Sequence, residues 1–218
     1  MTVTSASERW TASVGILGGT FNPPHLGHVA VALQALAQLG LDRVVLMPAA
    51  TAPHKGAAAD PGAQHRLNMC RLAVAGSDGL SACGMEIERG GPSYTVDTLT
   101  DIHASHPHAR LTFIVGADTA LTLPRWRTPA RLLELADLAV ATRTGSAREQ
   151  VLETVAGVGG DGNAAGVRFL SMLPVEVSST ATRRRVADGR PVEDLVGRDV
   201  AAYIAEHRLY ESPTEVES

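Results

Sequence analysis

From Ser13 the chain reads "SVGILGGTFNPPHLGHVAVALQALAQLG", and within this stretch the spacing of its apolar residues changes once. The run "SVGILGG" is apolar and closes on paired glycines, which predicts a buried strand followed at once by a turn. Beyond it, Leu26, Val29, Ala30, Leu33, Leu36 and Ala37 recur at helical spacing and Gly40 supplies a stop. A helix of about four turns, at ~3.6 residues each, follows. The same exchange repeats down the chain. "RVVLMP" predicts a second buried strand, residues 64–75 a helix, residues 82–87 a weaker strand, and residues 94–104 a helix with Ser93 as its N-cap. "RLTFIVGAD", "DLAVATR" and "VRFLSM" predict further strands, while "SSTATRRRVADG" and "VEDLVGRDVAAYIAEHRLY" predict two closing helices. Strands that are apolar throughout and alternate with helices need cover on both faces, so the expected class is α/β, a doubly wound and mostly parallel sheet with C-terminal helices.

One stretch breaks the alternation. "GSAREQVLETVAGVGGDGNAAG" opens with Ser146 and Glu149 at capping-box spacing, predicting a short helix over 147–155. Gly157, Gly159, Gly160, Gly162, Asn163 and Gly166 then predict a flexible insertion at about 157–166. With no internal repeat, the expected organisation is one domain over 13–210, an N-terminal tail at 1–12 and a C-terminal tail at 211–218.

Composition excludes several functions. No apolar run reaches membrane-spanning length, and the opening "MTVTSASERWTAS" lacks the basic start and apolar centre of a secretory signal. Cys70 and Cys83 are the only cysteines, too few for a disulfide framework, and both fall in core-like segments, so a reducing, cytoplasmic setting is expected. A net charge of −4 argues against general nucleic-acid binding, which draws most of its affinity from a basic surface. Any phosphate site must therefore be a local gathering of donors. "HPH" at 106–108 reads as an exposed turn without a role.

The turn after the first strand can be such a gathering. In an open parallel sheet, ligands collect beyond the carboxyl ends of the strands, where the strand order reverses. Gly18 and Gly19 lack a Cβ, so the backbone there can approach an anion closely, and the helix from Leu26 adds the positive end of its dipole. His25 and His28 lie three apart at the start of that helix and share a face, with Pro23 and Pro24 stiffening the approach. The lysine and hydroxyl of a Walker loop are absent, and "GILGGT" does not complete a dinucleotide fingerprint. No neighbouring carboxylates or cysteines stand at ligand spacing, so no protein-held metal is expected.

Five stretches, taken in order, carry a resemblance. "GGTFNPPHLGH" resembles the signature of the HIGH-type nucleotidyltransferases. With "PHK" at 53–55, "RGGPSYTVDTL" at 89–99, "GAD" at 116–118 followed by Trp126, and "VSSTATR" at 177–183, the chain resembles the bacterial nicotinate-nucleotide adenylyltransferases from about Val14 to Tyr210. Two positions depart from the pattern: Asn22 stands where the family usually has aspartate, and Thr182 replaces a common apolar residue.

The resemblance implies a Rossmann-like nucleotidyltransferase fold and a reaction in which the phosphate of nicotinate mononucleotide attacks the α-phosphorus of ATP, releasing pyrophosphate. It places His25, His28, Lys55 and Arg183 as catalytic groups on the phosphates. Gly18, Gly19, Thr20, Phe21, Gly116, Asp118, Ser179 and Thr180 are implied to bind ATP, and Tyr94, Thr95 and Trp126 the acceptor. Arg143 is implied near the adenine or phosphates. Mg2+ is expected to arrive with ATP. Nucleic acid and membrane are not expected partners, and self-association is left open. Other readings are a different HIGH-type transferase such as a pantetheine-phosphate adenylyltransferase, a non-catalytic nucleotide-binding module, or a fragment of a class I aminoacyl-tRNA synthetase.

Overall fold

Successive residues of the strands bury on opposite faces of one sheet, and that alternation accounts for two separate cores. On β1 (Ser13–Gly19), Val14 and Ile16 enter one core and Leu17 the other. On β2 (Arg43–Pro48), Val45 and Met47 part in the same way from Val44 and Leu46. β4 (Arg110–Gly116) sends Leu111, Phe113 and Val115 to the first core and Ile114 to the second. β3 (Leu80–Ala82), β5 (Asp137–Thr142) and β6 (Val167–Ser171) complete the sheet. A sheet buried on both sides offers no polar face, which is why these strands read as apolar throughout.

In the computed structural model, which describes residues 13–51, 59–142, 146–159, 166–172 and 175–211, the six strands are all parallel and ordered β3-β2-β1-β4-β5-β6. α1 (Leu26–Leu39) and α2 (Ala63–Val74) cover one face through Ala32, Ala35, Cys70 and Val74. α4 (Thr95–Ser105), α6 (Pro129–Leu135) and α7 (Ser146–Gly159) cover the other through Leu99, Ile102, Leu132, Val151 and Val155. The last helices, α8 (Ser179–Ala187), α9 (Glu193–Val196) and α10 (Arg198–Glu206), follow β6, and Val196, Val200 and Ile204 pack with Met69 of α2 in a third cluster. The doubly wound parallel architecture and its C-terminal helices match the expectation. Strand order reverses between β1 and β4, so a crevice is expected where their carboxyl ends part.

Several local expectations are corrected. The strand expected at 82–87 lies at Leu80–Ala82, paired with Val44 to Leu46, and Met85–Arg89 is a short helix, α3. Helix α4 begins at Thr95 with Tyr94 as N-cap, so Ser93 does not cap it. Between β4 and β5 the chain adds α5 (Ala117–Ala120), a 3-10 turn at Leu123–Arg125, and α6, all too short to leave a period in the sequence. α7 runs through Gly157 and Gly159, beyond its expected end; residues 160–165 of the glycine-rich insertion lie outside the described residues. Gly197, at φ 85°, splits the final helix in two. His106 is buried, not exposed, and its N–H donates to the Ile102 carbonyl as α4 ends. The N-terminal tail at 1–12 and, of the C-terminal tail expected at 211–218, residues 212–218 lie outside the described residues.

Both cysteines are free, and burial pushes both thiols above their ordinary range, which leaves them inert as nucleophiles. Among the described residues no helix is long and apolar enough to cross a membrane.

Candidate active site

The paired glycines make room for the protein's own rings. A Cβ on Gly18 would stand 3.2 Å from the Phe113 ring, and one on Gly19 would stand 3.1 Å from the Phe21 ring. Phe21 takes a left-handed backbone, φ 51°, and is only 2% exposed. Its ring meets His28 edge-on at 4.9 Å between centroids. What the turn can offer a ligand is therefore backbone N–H. The Phe21 side chain, expected at ATP, is committed to the core and to holding His28.

The two histidines form one unit. His25 is the N-cap residue of α1, and its ring stacks on His28 at 3.7 Å between centroids. The backbone N–H of His25 donates to His28 Nδ1 at 3.1 Å. An accepting Nδ1 carries no proton, so the proton of the His28 ring sits on Nε2, where it can be donated. Burial lowers His25 from 6.5 to about 4, so this imidazole is neutral near neutral pH and the stacked rings do not repel as two cations. A Cβ on Gly27 would lie 3.0 Å from both His25 Nδ1 and Val177 Cγ2, so glycine between the histidines lets the segment before α8 close against the turn.

That segment brings the late cation into place. Ser178 caps α8 by accepting from the Ala181 N–H at 3.1 Å, leaving the first backbone N–H groups of the helix without intrahelical partners. Ser179 Oγ donates to the Pro23 carbonyl at 2.8 Å, and Arg183 donates through Nη1 to the Asn22 carbonyl at 2.7 Å and through Nη2 to Thr180 Oγ1 at 3.3 Å. The Ser179 hydroxyl, expected to donate to a phosphate, here gives its proton to Pro23 and ties the start of α8 to the first turn. Thr182 keeps its departure from the family pattern harmless by donating to the Ser178 carbonyl while fully buried.

Arg66 escaped the sequence reading. It is 1% exposed, and its guanidinium donates to the carbonyls of Thr20 at 2.9 Å, Ala49 at 2.6 Å and Ala50 at 3.0 Å, and to Asp60 Oδ1 at 3.0 Å. One buried side chain thus binds the ends of β1 and β2 together. No sequence motif marks it, because an arginine within a helix usually lies on the solvated face. Asn22 donates from Nδ2 to the Ala59 carbonyl at 3.2 Å, a bond that an aspartate carboxylate at this position would not make. Lys55 and Arg143 lie outside the described residues.

Across the β1/β4 reversal, Gly116 and Asp118 stand at the carboxyl end of β4 and are exposed, with open space where a Gly116 Cβ would be. Tyr94 and Thr95, expected at the acceptor, start α4, which carries no side-chain cap. Ser93 instead reaches across: its Oγ accepts from the Ala50 N–H at 2.9 Å, and its own N–H donates to the Thr51 carbonyl at 3.0 Å. Trp126 is half-buried, donates from Nε1 to Thr122 Oγ1 at 2.9 Å, and meets Phe113 edge-on at 5.8 Å. Phe113 also fills the slot left by Gly18, so Trp126 and the turn after β1 share one packing partner. Among the described residues, no three histidine, cysteine or acidic side chains gather to hold a metal ion.

These features have parallels in known proteins. The Cytidylyltransferase-like family model matches residues 16–185. The "Probable nicotinate-nucleotide adenylyltransferase" of Gemmatimonas aurantiaca is 43% identical over 201 residues, 90% of this chain and 92% of that protein. The protein of the same name from Symbiobacterium thermophilum is 39% identical, over 91% of this chain and 95% of its own length. The structure of Plasmodium falciparum nicotinic acid mononucleotide adenylyltransferase complexed with NaAD superposes with a TM-score of 0.72 at 16% identity, covering 91% of this chain and 97% of that one, a likeness of fold. With near full-length identity at this level, the chain that builds the stacked histidine turn and the α8 arginine belongs to the nicotinate-nucleotide adenylyltransferase family.

Proposed function

We propose that this protein transfers the adenylyl group of ATP to nicotinate mononucleotide, forming nicotinate adenine dinucleotide and pyrophosphate in NAD biosynthesis. The observation that carries this reading is the bond from the His25 N–H to His28 Nδ1, which presents a donating Nε2 at the turn to which Arg183 is also tied. A phosphate monoester has a second pKa of about 6, so the acceptor is largely a dianion near neutral pH and needs no general base. The acceptor oxygen forms its bond to the α-phosphorus as the bond to the pyrophosphate oxygen breaks, and no proton has to move. The task is to hold two anions in line and to stabilise the charge that grows on the α-phosphoryl and leaving oxygens.

His28 Nε2–H donates to the α-phosphoryl oxygens, with neutral His25 stacked behind it. Arg183, Lys55 and the first N–H groups of α8 take the β- and γ-phosphates. The adenosine lies along Gly116 and Asp118, whose carboxylate accepts from ribose hydroxyls, and the pyridine ring stacks on Trp126 while its carboxylate meets the N–H groups at the start of α4. Mg2+ comes with the triphosphate, held by phosphate oxygens and water. The working unit is one domain over 13–210, in the cytoplasm.

Pyrophosphate release measured with ATP and a panel of acceptors tests the reading. Release with nicotinate mononucleotide supports it. Release with phosphopantetheine alone points to a related transferase, and ATP binding without release in the presence of every acceptor points to a non-catalytic module.

A further inference from the structure

We propose that Arg127 is a specificity-determining residue that selects an acceptor bearing a ring carboxylate over one bearing a carboxamide; the inference rests on the function proposed above. Arg127 follows Trp126 in the chain, and its guanidinium carbon lies 4.9 Å from the centroid of the Tyr94 ring. Nη1 donates to Asp97 Oδ2 at 2.9 Å. One side chain therefore reaches from the Trp126 segment to both the N-cap residue and the first turn of α4, the elements assigned to the acceptor. Trp126, Tyr94 and Thr95 are uncharged, whereas the Arg127–Asp97 pair brings charge beside them.

The pair is placed to meet a ligand. The Arg127 side chain is 55% exposed and that of Asp97 40%, so both face solvent at the rim, and Asp97 engages one of the five donors of the guanidinium. A carboxylate accepts two parallel N–H bonds from a guanidinium, whereas a carboxamide turns an NH2 toward the same donors and leaves them mispaired. Asp97 acts in the opposite sense: it shares the guanidinium and repels a second carboxylate. The two residues thus push selectivity in opposite directions. Because an exposed ion pair adds little to folding, either can be changed without loss of the fold.

The experiment compares the wild-type protein, Arg127→Gln and Asp97→Asn by kcat/KM for nicotinate mononucleotide and nicotinamide mononucleotide, with KM for ATP and Tm recorded alongside. Arg127→Gln is expected to lower the acid-to-amide ratio on the order of tenfold, through KM for the acid, with Tm and KM for ATP unmoved. Asp97→Asn is expected to raise that ratio severalfold. An unchanged ratio in Arg127→Gln overturns the inference, as does a ratio that moves the same way in both variants. Equal losses on both acceptors with a lower Tm also overturn it, because they mark a structural tie. Wild-type protein inactive on nicotinate mononucleotide defeats the proposed function itself, whereas active wild type with an unmoved ratio in Arg127→Gln defeats this inference alone.

Discussion

Arg183 reaches the Asn22 carbonyl at 2.7 Å across 161 positions of sequence, so the late cation and the first turn are held as one piece. The bond fixes where the guanidinium points, and the proposed role on the triphosphate draws on its other donors. Arg183→Ala should lower kcat by roughly 10²-fold and raise KM for ATP, while Arg183→Lys should recover only part, because a lysine cannot reproduce the forked contacts. Steady-state kinetics with saturating acceptor checks this; a lysine variant equal to wild type would show that charge alone suffices.

For His28, the accepting Nδ1 places the ring proton on Nε2, the group to which the proposed mechanism assigns the α-phosphoryl oxygens. His28→Ala should cut kcat by roughly 10²-fold or more with little change in Tm. Near-normal turnover would remove His28 from the mechanism.

Removing Arg66 strips a donor from three buried or half-buried carbonyls at once. Arg66→Met should cost on the order of 3 kcal/mol, since each carbonyl left without a partner costs about 1–3 kcal/mol. Urea unfolding measures the loss, and a change below ~1 kcal/mol would mean that water replaces the guanidinium without penalty.

A pH effect follows from His25. Its folded value of about 4 lies below the ordinary 6.5, so between these values the unfolded chain binds a proton that the folded one refuses. Stability therefore rises with pH through that window and falls as the solution is acidified across it. Chemical denaturation at a series of pH values tests the slope, with His25→Gln as the comparison; an equal slope in the variant would assign the effect to other groups.

On the acceptor side, Trp126→Ala should raise KM for nicotinate mononucleotide by on the order of tenfold and leave KM for ATP near its original value, as the loss of one aromatic stacking face does. The reverse pattern would reject stacking at this position.

Much of this architecture was legible in the sequence because strands buried on both faces leave an unbroken apolar run, as in "RVVLMP", and α1 carries its period plainly. The histidine pair was legible through its spacing, and Arg183 through the resemblance of "VSSTATR" to a family motif. Other features left no local trace. Arg66 looks like any helix-borne arginine until the ends of two strands surround it. The Ser93 hydroxyl, a plausible cap, is claimed by Ala50 from another segment, and Ser179 by Pro23. Such long-range competition for a single proton or lone pair is invisible to neighbouring residues in the chain. The glycine pair also makes room for two rings of the protein itself, which the sequence alone does not show.

The order of the segments sets a sequence in time. Translation delivers β6 by Ser171, which completes the sheet, before the ribosome has made Ser179 or Arg183. A nascent or prematurely ended polypeptide can thus own the first turn yet lack the guanidinium that docks on it. On the proposed mechanism, such a product should not consume ATP, and catalytic competence arrives only when the segment carrying Arg183 has been made and has docked on the first turn.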